Sequence, residues 1–201
     1  MRAAVFTPSF YFVVASSFLA LAACSAPQAK PPVVANEPQG VERYFPLIDK
    51  HLYTYELSRD DTAVKDMLML RVRRHDATTA ALHVNEVVRS LVITPTEIRR
   101  ESGGVILRAP LQVGATWPGD NGGQTKLVQT DVAIEVPAGK YQGCLRTVEE
   151  VGEGTYGRVT TTFCPLVGIV EMLTEERSTR GEVTQRTALR SFGPPVDLGG
   201  R

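Results

Sequence analysis

From Tyr44 onward, apolar and polar residues alternate in short runs rich in Val, Ile, Leu, Thr and Tyr, punctuated by Gly and Pro. A period of two is the signature of strands with one dry and one wet face. It predicts strands over residues 51–58, 66–74, 80–88, 91–94, 105–108, 125–136, 141–151, 157–163, 168–176 and 182–192. In 125–136, Val128, Val132, Ile134 and Val136 share one parity against Gln129, Asp131 and Glu135, so these apolar residues are expected on the buried face. The run Met67, Leu68, Met69, Leu70 is apolar on both parities, and something must cover both sides. A second layer of the same domain is the expected cover, with Met67 and Met69 buried and no lipid-sized cavity beside them. No stretch carries a helical apolar period, so helix is limited to a turn near residues 45–50 or 165–167. The expected fold class is all-β: an antiparallel meander curled into a sandwich, half-barrel or barrel.

The N-terminus departs from this texture. Arg2 is followed by the apolar run FYFVVASSFLALAA and then Cys24, a charged start, apolar middle and small-residue end that read as a signal peptide over residues 1–23. Leu21-Ala22-Ala23-Cys24 resembles the lipobox of bacterial lipoproteins. That resemblance implies cleavage before Cys24 and lipidation of Cys24, whose several acyl chains would hold the protein on a membrane. Ser25, where an Asp would favour inner-membrane retention in lipoproteins of the common type, points to the outer membrane. An uncleaved membrane anchor and a soluble secreted protein are the rival readings. Residues 24–43, with four prolines and no apolar period, form a lipidated start and an extended linker. Residues 44–192 follow as one β domain and 193–201 as a flexible tail.

Charge narrows the partners. The 22 Lys+Arg balance 22 Asp+Glu, and a neutral chain lacks the basic surface that displaces counterions from nucleic acid. With Cys24 lipidated, Cys144 and Cys164 remain as an even pair outside the cytoplasm, 20 positions apart. A disulfide is the economical reading, with an entropic contribution of about 3 kcal/mol; two buried thiols or a metal site are the alternatives. One internal echo stands out: Pro46-Leu47 precedes Tyr53 as Pro110-Leu111 precedes Trp117. It reads either as a duplication or as two proline-led entries into strands.

The segments YFPLIDKHLYTYE, PLQVGATW, VAIEVPAGKYQGCLRTVEE and CPLVGIVEM resemble, in that order, a group of uncharacterised bacterial secreted and lipid-anchored proteins. Lys50 and Tyr53 stand where that pattern has glycine and tryptophan, and Leu166 where it has a glycine. The resemblance implies a fold and an envelope location without a mechanism or catalytic residue.

No nucleophile-base, zincin, phosphate-loop or dinucleotide motif is present, so the chain reads as no enzyme, with no cofactor and no metal. His51, His75 and His83 are scattered, each expected on the exposed or half-buried side of a strand. The loop Gly119-Asp120-Asn121-Gly122-Gly123 supplies one carboxylate where a calcium loop supplies several, which favours a plain turn. Glu149, Glu150 and Glu153 read as a solvated acidic face, and Trp117 as core or as a ligand mouth. The function read from sequence is a membrane-tethered binding or structural domain of the cell envelope. A carrier of a lipid or other apolar ligand in a curved sheet is the alternative, and an enzyme with a dispersed site the second; the ligand or protein partner is unknown.

Overall fold

The computed structural model describes residues 38–152, 157–178 and 181–195. The signal segment and Cys24, most of the linker, Glu153 and the end of the tail lie outside them. The alternating pattern becomes β1 (Leu52–Arg59), β2 (Thr62–Arg74), β3 (Thr79–Val84), β4 (Val87–Ile93), β5 (Glu97–Arg100), β6 (Val105–Arg108), β7 (Thr116–Pro118), β8 (Gln124–Val136), β9 (Gly139–Glu150), β10 (Arg158–Cys164), β11 (Gly168–Ser178) and β12 (Gly181–Gly193). All are in one antiparallel sheet of 12 strands, each hydrogen-bonded to its neighbours in sequence except β6 and β7, with β1 also paired to β12. The sheet is therefore a meander rolled into a nearly closed barrel whose seam lies between β6 and β7.

The seam is held by a few local contacts. Val105 and Gly119 form an isolated parallel bridge, the Trp117 indole N–H donates to the Val105 carbonyl at 3.2 Å, and Arg100 pairs with Asp120 across the gap. Trp117 is thus buried core. Up-and-down strand order sends alternate loops to opposite ends of the barrel. One end is plugged: the short helix α1 (Gly40–Tyr44) buries Val41 and leads into buried Phe45 and Leu47. This segment touches both sides of the rim. The Leu166 N–H donates to the Arg43 carbonyl at 2.6 Å, the Phe45 and Phe163 rings meet edge-on at 6.2 Å, and α1 contacts β5. The helical turn expected at 45–50 or 165–167 thus falls earlier, and packed structure begins inside the stretch that reads as linker.

The echo marks two matching turns. The Lys50 N–H donates to the Val72 carbonyl at 3.0 Å and the Val72 N–H to the His51 carbonyl at 2.9 Å; Gly114, Leu127 and Ala115 repeat both bonds at 2.9 Å. Lys50 and Gly114 both have positive φ, 64° and 96°, a conformation that glycine takes without strain. Leu166, the other residue standing where the family pattern has glycine, has φ 63°. The two turns enter β1 and β7, the first strands of two six-stranded halves.

Two sequence expectations are corrected. Met67 and Met69 are 51% and 56% exposed on the outer wall: Leu68 and Leu70 take the inner parity opposite Tyr55 and Tyr53, and strand geometry then turns both methionines outward. Val128 likewise faces out while Leu127 is fully buried. The β8–β9 register slips at several points and Asp131 has φ 56°; such a bulge switches parity midway, so Leu127 and Val132 share the inside. Cys144 and Cys164, on neighbouring strands, are buried and joined by a disulfide with a Cα separation of 4.2 Å.

Candidate ligand-binding cavity

The inner faces line a cavity of about 620 Å³ that runs from Phe45 and Phe163 at the plugged end to Arg89 and Glu176 at the opposite rim. Its walls differ. On β1 to β4, Tyr55, Leu68, Leu70, Leu82, Val84 and Leu91 face inward, an aliphatic and aromatic surface. On β9 to β12, register places Thr147, Thr161, Met172 and Thr187 in one row across four strands. A second row nearer the mouth runs Thr125, Glu149, Val159, Thr174, Gln185. Hydroxyls can satisfy their protons locally on a strand, so this wall is polar, with Glu149 as the carboxylate of its second row.

The mouth is organised by Glu149. It is 5% exposed, and one carboxylate oxygen accepts from the Asn121 and Gly123 N–H groups at 2.8 and 2.9 Å while the other accepts from the Asn121 amide at 2.9 Å. This clasps the Gly119–Gly123 loop, where a side chain at Gly119 would collide with the Glu149 carboxylate and one at Gly123 with the Glu150 carbonyl. The loop's glycines are there for this close approach, and Glu149 is not the solvated residue that the sequence suggests. The Asp120 carboxylate accepts from the Arg100 guanidinium at 2.6 Å; burial nevertheless pushes its carboxyl pKa up, outweighing the opposing pull of Arg100. Tyr55, at the floor, donates its hydroxyl to the Ile169 carbonyl at 3.0 Å, and burial raises its phenol above the ordinary range.

None of the histidines reaches this cavity. His75 and His83 share an outer groove with Lys50, Arg71 and Arg73. Glu150 is exposed and pairs with Arg158 at 2.9 Å. Among the described residues no group of three or more His, Cys, Asp or Glu side chains could hold a metal ion. The cavity residues were hidden from sequence reasoning because inner threonines look like solvated strand positions. The parity of Leu145, Thr147 and Glu149, all on one face of β9, is the signal that would have found Glu149.

No family model and no curated protein matches the chain. Among solved structures it is similar to a protein with a YmcC-like fold from Bacteroides fragilis NCTC 9343, at 12% identity and a TM-score of 0.48, covering 73% of this chain and 96% of the other. A protein of Parabacteroides distasonis ATCC 8503 described as a lipoprotein matches at 11% identity and 0.46, over 73% and 96%. A LolA superfamily protein from Nitrosomonas europaea matches at 12% identity and 0.25, over 79% and 90%. Likenesses this distant transfer no activity.

Proposed function

We propose that the chain is a non-enzymatic envelope lipoprotein, tethered through Cys24 at the outer membrane, that holds an elongated apolar or amphipathic molecule in the lumen of its barrel. The lumen carries this reading. Its 620 Å³ lies within the roughly 300–1,000 Å³ of small-molecule sites, and its apolar wall would otherwise face water at a cost of about 25 cal/mol per Å². The outer wall supports a water-facing role: Glu56, Lys65, Arg71, Arg73 and Arg190 stand there, the reverse of a lipid-facing barrel. Both ends of the barrel domain, at residues 38 and 193, lie on the plugged side, opposite the mouth.

The test has two arms. A fluorescent apolar probe such as N-phenyl-1-naphthylamine should bind the purified chain at one site and be displaced by long-chain amphiphiles; absence of saturable binding removes the carrier reading. Metabolic labelling with a fatty acid should mark the wild-type protein and not the Cys24→Ser variant; label persisting in the variant removes the anchor.

A further inference from the structure

We infer that the molecule in the lumen carries an anionic head group, a carboxylate or phosphate on a single apolar chain, and that Arg89 receives that head. The inference rests on the lumen being a binding site and concerns which molecules it selects.

Arg89 lies on β4 at an inward position, opposite Leu82 of β3 and two residues before the buried Leu91. Its guanidinium therefore stands where the leucine wall ends and the mouth begins, and it lines the cavity. Arg89 is itself exposed, so its charge stands in water at the rim of an apolar pocket, open to a ligand that enters there. Arg89 has no hydrogen-bonded or ion-paired partner among the described residues.

The acidic groups near the lumen do not supply one. Asp120 is engaged by Arg100 through two nitrogens, Nη2 and Nε, and acts on Arg89 only as a longer-range charge. The Glu149 carboxylate also acts on Asp120, so two guanidiniums and two carboxylates stand on this side of the mouth, and Arg89 is the one of the four without a hydrogen-bonded or ion-paired partner among the described residues. Glu149 already accepts three hydrogen bonds from the Asn121–Gly123 loop. Glu176 stands on β11, five strands round the sheet from β4. A carboxylate or phosphate is the group that complements a free guanidinium, which presents its donors in a planar fork. A chain attached to that head would run along Leu82, Val84, Leu70 and Leu68 toward Tyr55 and Phe45.

Three probes with the same saturated chain decide the question: palmitate, hexadecyl phosphate and hexadecan-1-ol, each competed against the apolar fluorophore on the intact chain. At least one of the two anions should bind tenfold to about a hundredfold more tightly than the alcohol, the range of one charge-assisted hydrogen bond; which anion wins identifies the head. Arg89→Ala should abolish that advantage and leave the alcohol's affinity unchanged, which also reports an intact fold, while Arg89→Lys should keep most of it. Equal binding of all three probes to the wild type, or equal weakening of all three by Arg89→Ala, overturns the inference while leaving the lumen as a site. If no probe binds at all, the carrier reading fails with it.

Discussion

At the scale of single residues, the mouth of the barrel depends on Glu149. Its two oxygens accept three hydrogen bonds from one glycine-rich loop, and a charged acceptor contributes more than a neutral one. Glu149→Gln keeps the shape but turns an amide N–H₂ toward N–H donors, leaving at least one of them unpaired; it should cost about 1–3 kcal/mol in urea unfolding, with an unchanged m-value. Tyr55 offers a pH test. Burial raises the Tyr53 phenol to about 12 and Tyr55 further. The unfolded chain ionises its tyrosines near pH 10, so between there and pH 12 the unfolded state binds fewer protons than the folded one. Stability should therefore be complete below pH 10 and fall as pH rises beyond it. Tyr55→Phe, lacking the hydroxyl bonded to Ile169, should lower stability by about 1 kcal/mol at neutral pH and flatten that alkaline decline; an unchanged decline would contradict the assignment. Sequence reading missed both roles, because a glutamate near a strand end and a tyrosine in an alternating strand are ordinary, and only the partner strands give them their surroundings.

At the scale of elements, strand existence was legible and strand facing was not. Alternation marked the regions of β1, β2, β8, β9 and β12, since a period of two is written directly into side-chain order. Facing failed in two instructive ways. The run Met67 to Leu70 satisfies both parities, so period alone cannot say which pair goes inside, and β1 decides by setting Leu68 against Tyr55. In β8 a bulge at Asp131 adds one residue and exchanges the faces partway along, which no single-strand pattern reports. The seam is the element-scale feature with the clearest consequence. β6 and β7 are short, and the gap between them is bridged by the Val105–Gly119 pair and the Trp117 indole. Trp117→Phe keeps an aromatic core residue and removes that donor. Global stability should fall by only about 1 kcal/mol, while amide exchange in β6 and β7 should accelerate well beyond that in β9 and β10; uniform acceleration would show that the seam opens only with the whole barrel. The bridge between β9 and β10 is the counterpart: replacing Cys144 and Cys164 together by alanine should cost about 2–4 kcal/mol, read as a lowered melting temperature.

At the scale of the whole molecule, the order of the strands could not be read, because closure depends on β1 meeting β12 across more than a hundred residues and nothing local encodes that pairing. The Pro-Leu echo was the one visible trace of the overall plan, two halves each entered by the same turn. What the barrel gains from curling is an interior with room left in it, and that room gives the last prediction. In a filled core an enlarged side chain forces its neighbours off their rotamers and typically costs 1–3 kcal/mol. Leu107, fully buried on β6 and not among the residues that line the cavity, should behave this way, so Leu107→Trp should destabilise by about that amount. Val84 faces the cavity on β3 and is only half-buried. Val84→Phe should therefore enter open space, bury apolar surface against Leu70 and Leu82, and leave the melting temperature unchanged or slightly higher. The same variant should weaken apolar-probe binding severalfold, since the ring takes volume that the ligand would use. Stability gained where binding is lost is the pattern of a site held open against its own packing. If Val84→Phe destabilises the protein as Leu107→Trp does, the interior is a filled core, and the lumen cannot be where a ligand is held.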